Sequence, residues 1–440
     1  MARLVTVVAT WLFVSFGLLL REKKQHFRMP QLTARLIRDI AELQRLESDW
    51  QAIAGGVPFR EPAWLLTWWR HYGPPASGDL GRRELFVVAV ETDPQTSEHG
   101  RRELVGLAPL FVEHRPLGGK VVRFLGSGEV CSDHLTILAR TEDAAQVAVE
   151  VGRFLCAEHR GAQWDRIELN GAHGDDPMIA ALLTEMQLHG TSIQRRRGTG
   201  PWQLALPDGY EAYLATLSKS HRKQLRRLAK NVLDTDRAKW YTVRTPADLE
   251  IAWPIFVDLH QRRRRSLGDD GSFKSERFTK FHAEATRRML ALGRLRMHWL
   301  ELDGKPAAAE YHLVGDGIVY AYQAGLDPER IGQEPGRLAG IAIIRQAIRD
   351  GYATYDLLRG DEPYKAHWRA VPLPTEYVSI IAPRLSSRIR YVLHRIPRYL
   401  RVRMWELFSR RAVERDGNYP GIQRQAQHDA ADEPELVATE

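Results

Sequence analysis

Glu310 lies inside the apolar run Ala307–Val314, directly after three alanines. A carboxylate in a strand interior needs a partner or a cleft, and the small residues before it leave room for a ligand. Glu310 is therefore a candidate general base, with an exposed strand face as its alternative placement. Tyr320 and Tyr322 lie in the next run, Ile318–Gln323, two residues apart and so on one face. Either could give up a proton or simply pack; we take Tyr322 as the acid and Tyr320 as a substrate contact. The segment Gln333-Glu334-Pro335-Gly336-Arg337-Leu338-Ala339-Gly340 reads as the start of a helix, with Arg337 beside the Pro-Gly pair. Unpaired N–H groups at a helix start hold phosphate where glycine lets the backbone come close. Arg359, Asp361, Glu362, Tyr364 and Lys365 follow the run Tyr352–Leu358, in the loop position where function concentrates. Arg359 or Lys365 there suits a carboxylate or phosphate, and a salt-bridged loop is the alternative.

Other patterns carry less. Gly126-Ser127-Gly128 lacks the third glycine of a dinucleotide fingerprint, because Cys131 stands in its place. Cys131-Ser132-Asp133-His134 offers the residue types of a nucleophilic triad, but adjacent residues point to different sides of the chain. The 16 histidines show no HExxH or other metal spacing, so no metal is expected. Two cysteines, Cys131 and Cys156, are too few for a disulfide framework and suit a reducing compartment.

These residues need elements to hold them. Helical stripes run over residues 36–53, from Pro62 to the Gly73-Pro74-Pro75 stop, over 144–159 and over 177–189. Between them lie strand-like runs at 85–90, 104–112, 121–125 and 164–169. The second half repeats the theme. Helices are expected over 210–233, 247–265, 278–292 and 336–349, with strands at 295–302, 307–314, 318–323 and 352–358. Asp303-Gly304 and Gly315-Asp316-Gly317 supply hairpin turns. The order implies an α+β fold with mixed, largely antiparallel sheets flanked by helices.

The two halves resemble each other. A helix ending at Arg160-Gly161 leads to Trp164-Asp165, a strand and Asp175-Asp176-Pro177; a helix ending at Asp350-Gly351 leads to Tyr355-Asp356, a strand and Asp361-Glu362-Pro363. The shared local order suggests a tandem duplication.

The second half also resembles the GNAT-type domain of BioF2-like and CelD-like bacterial proteins, relatives of the FemAB transferases with tandem GNAT folds. The likeness rests on Leu302-Asp303-Gly304-Lys305-Pro306-Ala307-Ala308, Tyr320-Ala321-Tyr322-Gln323-Ala324-Gly325, Pro335-Gly336-Arg337-Leu338-Ala339 and Tyr355 through Lys365, then Trp368. It implies two tandem GNAT-like domains, 35–200 and 201–383, the second holding the acyl-donor site. It also implies acyl transfer from acyl-CoA or acetyl-CoA to an amine or hydroxyl acceptor, such as a glycan or envelope precursor. Gln333, Gly336, Arg337, Leu338, Ala339 and Gly340 would then cradle the cofactor. Gln333 and Gly336 fit the family's Gln/Arg-x-x-Gly-x-Gly/Ala loop; Leu338 departs from it. Two other functions stay open: a FemAB-like transferase using aminoacyl-tRNA, and a non-catalytic scaffold in exopolysaccharide synthesis. Nucleic acid as a partner belongs to the first of these, through the basic residues of 219–230 and Arg262–Arg265.

The chain ends carry the remaining signals. Leu4–Leu20 is apolar and uncharged, and Arg21, Lys23 and Lys24 follow it. At about 1.5 Å per residue it reaches roughly 26 Å, a little under a bilayer core of about 30 Å. Residues 1–28 are thus an anchor or lie before a true start at Met29; both leave the folded part cytoplasmic. Residues 384–411 hold nine arginines against Glu406 alone, which equals the whole net charge of +8. The rest is near neutral, so the high pI does not by itself indicate a nucleic-acid binder. Beside those arginines runs an apolar helical stripe, so 384–412 is expected to form a basic amphipathic helix suited to the inner membrane surface. Residues 413–440 read as a disordered tail.

Overall fold

The computed structural model describes residues 31–393, apart from 74–80, 98–99, 116–117 and 161. The apolar N-terminal segment, most of the basic C-terminal segment and the acidic tail lie outside the described residues. Among those described, no helix is long and apolar enough to cross a membrane.

The first half runs β1 (Leu32–Ile37), α1 (Ile40–Arg45), α2 (Glu47–Ile53), α3 (Pro62–Tyr72), β2 (Arg83–Leu85), β3 (Val87–Thr92), β4 (Leu104–Ala108), β5 (Leu110–Arg115), β6 (Gly119–Phe124), β7 (Leu138–Ala139), α4 (Ala144–Arg160), β8 (Arg166–His173), α5 (Pro177–Leu188) and β9 (Ser192–Gly198). The second runs β10 (Pro201–Ala205), α6 (Tyr210–Thr216), α7 (Lys219–Leu228), β11 (Ala238–Thr242), α8 (Pro246–Ser266), α9 (Glu276–Ala291), β12 (Leu295–Leu302), β13 (Lys305–Gly315), β14 (Ile318–Leu326), α10 (Pro335–Arg349), β15 (Thr354–Arg359), α11 (Tyr364–His367), β16 (Val371–Pro372) and β17 (Thr375–Ile381). A last helix, α12, covers 385–393.

The sheets are mixed, as the sequence implied. Their orders are β1-β3-β4-β7, β2-β5-β6-β8-β17-β9 and β11-β12-β13-β14-β15-β10-β16. Neighbours pair antiparallel except β6 with β8 and β14 with β15.

Three local readings differ. The stripe at 36–53 is not one helix: residues 32–37 pair with β3, and Asp39 then caps α1 by accepting from the Ala41 N–H at 3.0 Å. The stretch 210–233 breaks at Leu217, where Ser218 caps a new helix, and its last turn, Ala229–Leu233, widens to π geometry. The repeated aromatic–Asp pair occupies unequal places, since Asp165 precedes β8 while Asp356 lies within β15.

The expected division at 201 and 383 meets one strand that crosses over. β10, directly after the first half's β9, sits between β15 and β16 in the second half's sheet. β17 instead leaves the second half's sheet and pairs with both β8 and β9 of the first half, over seven residues each. Gly200 and Leu373 meet where the chains cross; a Cβ on Gly200 would overlap the Leu373 carbonyl oxygen. One apolar core accordingly runs through both halves, from Leu32 to Ala382. Its junction is aromatic: Trp64 of α3 meets Phe281 of α9 edge-on at 5.0 Å between ring centres.

Candidate active site

The sheet opens at one place. β14 and β15 pair in parallel only over Ile318–Tyr320 with Thr354–Asp356, although β14 runs on to Leu326 and β15 to Arg359. Past Tyr320 and Asp356 the facing edges diverge and leave main-chain donors and acceptors without ladder partners. A cavity of about 1070 Å³ occupies this opening. Tyr322, Gln323 and Ala324 line it from β14, and Leu357, Leu358 and Arg359 from β15.

Two distortions shape the opening. On β14, Gln323 faces Tyr311 and Ala321 faces His312, so Tyr322 is the extra residue of a bulge. On β15, Leu358 has φ of +53°, and its N–H donates to Asp356 Oδ1 at 2.7 Å. A branched residue held at positive φ is strained, and it turns the strand end away from β14.

Glu310 lines this cavity. Its side chain is only 13% exposed, and His312 lies beside it, with Oε2 and Nε2 3.9 Å apart. His312 is fully buried and bonds the Tyr355 hydroxyl at 2.9 Å. Burial holds His312 far below its ordinary range, so it stays neutral and offers Glu310 no counter-charge. Burial alone pushes the Glu310 carboxyl from 4.5 up to about 8. Such a group is poised to take a proton near neutral pH.

Tyr322 also lines the cavity, but from the other face. Strand alternation puts Glu310 opposite Tyr311, whose ring lies 5.2 Å from that of Tyr322. The Tyr322 hydroxyl donates to the Val130 carbonyl at 2.6 Å and lies 3.1 Å from His282 Nε2. Its proton is engaged, and burial raises its pKa well above the usual value. Tyr320 shares that face, as both rings meet Phe59, but it is 1% exposed and off the cavity wall. The substrate contact expected of Tyr320 is therefore replaced by core packing.

The start of α10 reaches the cavity with one face, Gly336, Arg337, Gly340 and Ile344. Glu334 adopts left-handed geometry before it and gives no side-chain cap. Arg337 and Leu338 N–H groups bond the Glu334 carbonyl at 3.0 and 3.1 Å, and the Gly336 N–H makes no bond to the main chain of the described residues. Gln333 is exposed and outside the lining, and Leu338 and Ala339 are buried against Leu300, Leu302 and Ala308. Helical period explains this division, which corrects the cradle expected from all six residues. The departure at Leu338 thus falls on the core side.

The loop after β15 separates likewise. Lys365, 1% exposed, gives its ammonium to the carbonyls of Leu358, Arg359 and Gly360 at 3.0, 2.9 and 2.9 Å, with Glu362 Oε2 at 3.0 Å. Three donors on three acceptors leave none for a ligand, so Lys365 fixes the strand end instead of holding substrate. Arg359 lines the cavity with its guanidinium on Asp133 and, through Nη2, on the Ser132 carbonyl at 3.0 Å. Asp361 is exposed, lies off the cavity and accepts from Trp202 Nε1 at 3.4 Å. Glu362 and Tyr364 line the wall, as does Lys365 with its ammonium already committed.

The sequence reading passed over the first half's share. Glu129, Val130, Cys131 and Asp133 come from the loop after β6 and line the second half's cavity. The four adjacent residues once weighed as a triad go separate ways: Cys131 to the wall, Ser132 to Trp64 Nε1 at 2.9 Å, Asp133 to Arg359, and His134 to Asp356 at 3.1 Å. His221 and Gln224 of α7 and Arg263 and Arg264 of α8 also reach the wall. No spacing in the sequence joins these segments. Among the described residues, no group of His, Cys, Asp and Glu could hold a metal ion.

The parallel strand pair, splayed over a cavity, thus sets a ligand-sized opening within an α+β fold. Residues 219–366 match the family model described as acetyltransferase (GNAT) domain. No curated protein matches the chain. The solved structure of FemX is similar over 78% of this chain and 96% of its own, at 10% identity and TM-score 0.51. A conserved protein of unknown function from Bacteroides thetaiotaomicron VPI-5482 aligns over 80% of this chain and all of its own, at 12% identity and TM-score 0.46. A tandem GNAT protein from the clavulanic acid biosynthesis pathway aligns over 80% of this chain and 99% of its own, at 13% identity and TM-score 0.43. The chain has a GNAT-superfamily, FemAB-like fold.

Proposed function

We propose that this protein transfers an acyl group from an acyl-CoA thioester directly to an amine or hydroxyl acceptor, with Glu310 as general base. The GNAT domain and the fold support acyl transfer in general. The observation that carries the finer reading is the opening between β14 and β15, with Glu310 on its wall. An extended, amide-bearing arm can bond the edge of β14 there, as an added strand would, while the end of β15 is already held by Asp356, Asp133 and Lys365. A diphosphate would meet the Gly336 N–H, Arg337 and His221 at the start of α10.

The acceptor nitrogen or oxygen attacks the thioester carbonyl carbon while Glu310 removes its proton. The tetrahedral intermediate then expels the thiolate as the C–S bond breaks. An ordinary thiol titrates near about 8.5, so the thiolate leaves without obligatory protonation. This suits the engaged hydroxyl of Tyr322, which we assign to positioning the loop 126–134 in place of the proton donation first expected.

A second reading has its own observation. The two basic stretches come together, because His221 and Gln224 of α7 and Arg263 and Arg264 of α8 line one cavity. A donor carried on tRNA would be contacted from both rims, with binding that falls steeply with salt.

The test is a thermal-shift titration of the full chain with acetyl-CoA, longer acyl-CoAs, free CoA and tRNA. At about a hundred times the dissociation constant a ligand adds about 2.7 kcal/mol of apparent stability. Gly336→Asp sets a carboxylate where the phosphate would lie and should abolish a CoA shift. A shift unchanged in that variant would refute the placement; a shift with tRNA alone would favour the second reading.

A further inference from the structure

Helix α12 is turned the opposite way from an ordinary surface helix. Its polar side holds the body. Asp165, buried between α4 and β8, accepts from Ser387 Oγ at 2.7 Å, from Arg384 Nη2 at 3.2 Å and from Arg390 Nη1 at 3.0 and 2.9 Å. Ser387 is 2% exposed, and Tyr391 bonds Gln194 of β9 while Arg166 lies over its ring at 5.5 Å. Residues 384, 387 and 391 recur at helical spacing, so this side faces inward.

Its apolar side faces out. Leu385, Ile389, Val392 and Leu393 are 74%, 49%, 57% and 48% exposed. They too recur at helical spacing, opposite the Asp165 clamp. Single exposed leucines need no explanation, but a stripe held outward by a buried carboxylate needs a covering surface. Charge identifies that surface. Arg388 flanks the stripe and is exposed. The sequence continues with apolar Ile396, Leu400, Met404, Leu407 and Phe408 among further arginines, nine arginines over 384–411 against Glu406 alone. Cationic residues bordering an apolar stripe match a bilayer surface of anionic headgroups.

We infer that α12 seats this protein on an anionic membrane surface, its apolar stripe among the acyl chains, with Arg388 and the arginines that follow in the sequence among the headgroups. The Asp165 clamp fixes the body relative to that surface. The site lies at the C-terminal ends of β6 and β8, near Cys131 and Asp133, whereas the clamp lies at their start, beside Gly119 and Asp165. The cavity is thereby held off the bilayer, at the other end of the sheet.

The test uses the full chain with Cys131→Ser and a single new cysteine carrying an environment-sensitive fluorophore, at Ile389→Cys or, as control, at the exposed Ile251→Cys on α8. This reports on the stripe itself, whatever the apolar N-terminal segment does. Phosphatidylcholine vesicles containing phosphatidylglycerol should shift the 389 label to the blue and leave the 251 label unchanged. Salt should weaken the effect, since each arginine near such a surface contributes about fivefold in partitioning. Leu385→Ser with Val392→Ser should reduce that partitioning on the order of 100-fold while leaving the Asp165 clamp intact. An unshifted 389 label with every vesicle would overturn the inference. So would equal shifts on pure phosphatidylcholine, or a 389 label already buried in a dimer without lipid.

Discussion

Replacing Glu310 with glutamine should stabilise the protein at high pH and disable it at every pH. The folded carboxyl titrates near 8 against 4.5 for an ordinary glutamate. The folded state therefore keeps a proton that the unfolded chain releases between those values. Stability is full below the unfolded value and falls as pH rises through the folded one. Three and a half pH units at about 1.4 kcal/mol each give about 5 kcal/mol lost by wild type above roughly pH 8. Glutamine carries no such term. In urea unfolding at about pH 5 and about pH 9, the variant should match wild type at the lower pH. At the higher pH it should exceed wild type by several kcal/mol. Its acyl-transfer rate should fall about 100- to 10,000-fold, and the rise of wild-type rate toward about pH 8 should disappear. A variant no more stable than wild type at the higher pH would refute the account of Glu310 as a buried, unpaired carboxylate.

Lys365→Met keeps the length of the side chain but strips three buried carbonyls of their donor. It should cost about 3 kcal/mol or more in urea unfolding, and a loss under about 1 kcal/mol would return Lys365 to the ligand-binding list. Tyr322→Phe should cost about 1–2 kcal/mol and slow transfer less than about tenfold, whereas a true proton donor would cost about 100-fold or more. Gly200→Ala presses a methyl group onto the Leu373 carbonyl and should lower stability by about 1–3 kcal/mol, read as a reduced melting temperature.

The second half was legible because its signals are local. Asp303-Gly304 and Gly315-Asp316-Gly317 punctuate the three long strands β12, β13 and β14, and Pro335 with Gly336 mark the start of α10. Residues 32–37 misled because Leu36 and Ile40 fit helical period while the neighbouring strand β3, 50 residues on, offered a ladder. Within the site, Glu310 was visible as a carboxylate among alanines. Leu338 was misassigned because sequence spacing cannot say which side of a helix faces the ligand, and Lys365 because spacing cannot show that its ammonium is taken by three carbonyls. The cavity's far wall was invisible for a different reason. Asp133 and Arg359 stand 226 positions apart, and nothing in either segment announces their contact.

That far wall also explains why the two halves are interlocked. The loop after β6 reaches across to the second half's cavity, where Val130 accepts from Tyr322 and Asp133 holds Arg359. Such contacts position a site only if the halves keep their relation to within a fraction of an ångström. A simple interface between domains permits relative motion. Here β17, from the second half, lies inside the first half's sheet between β8 and β9, so moving the halves apart would break main-chain ladders on both of its edges. The crossing of β17 thus converts a hinge into a continuous framework. The loop from the first half can then serve as a wall of the second half's site.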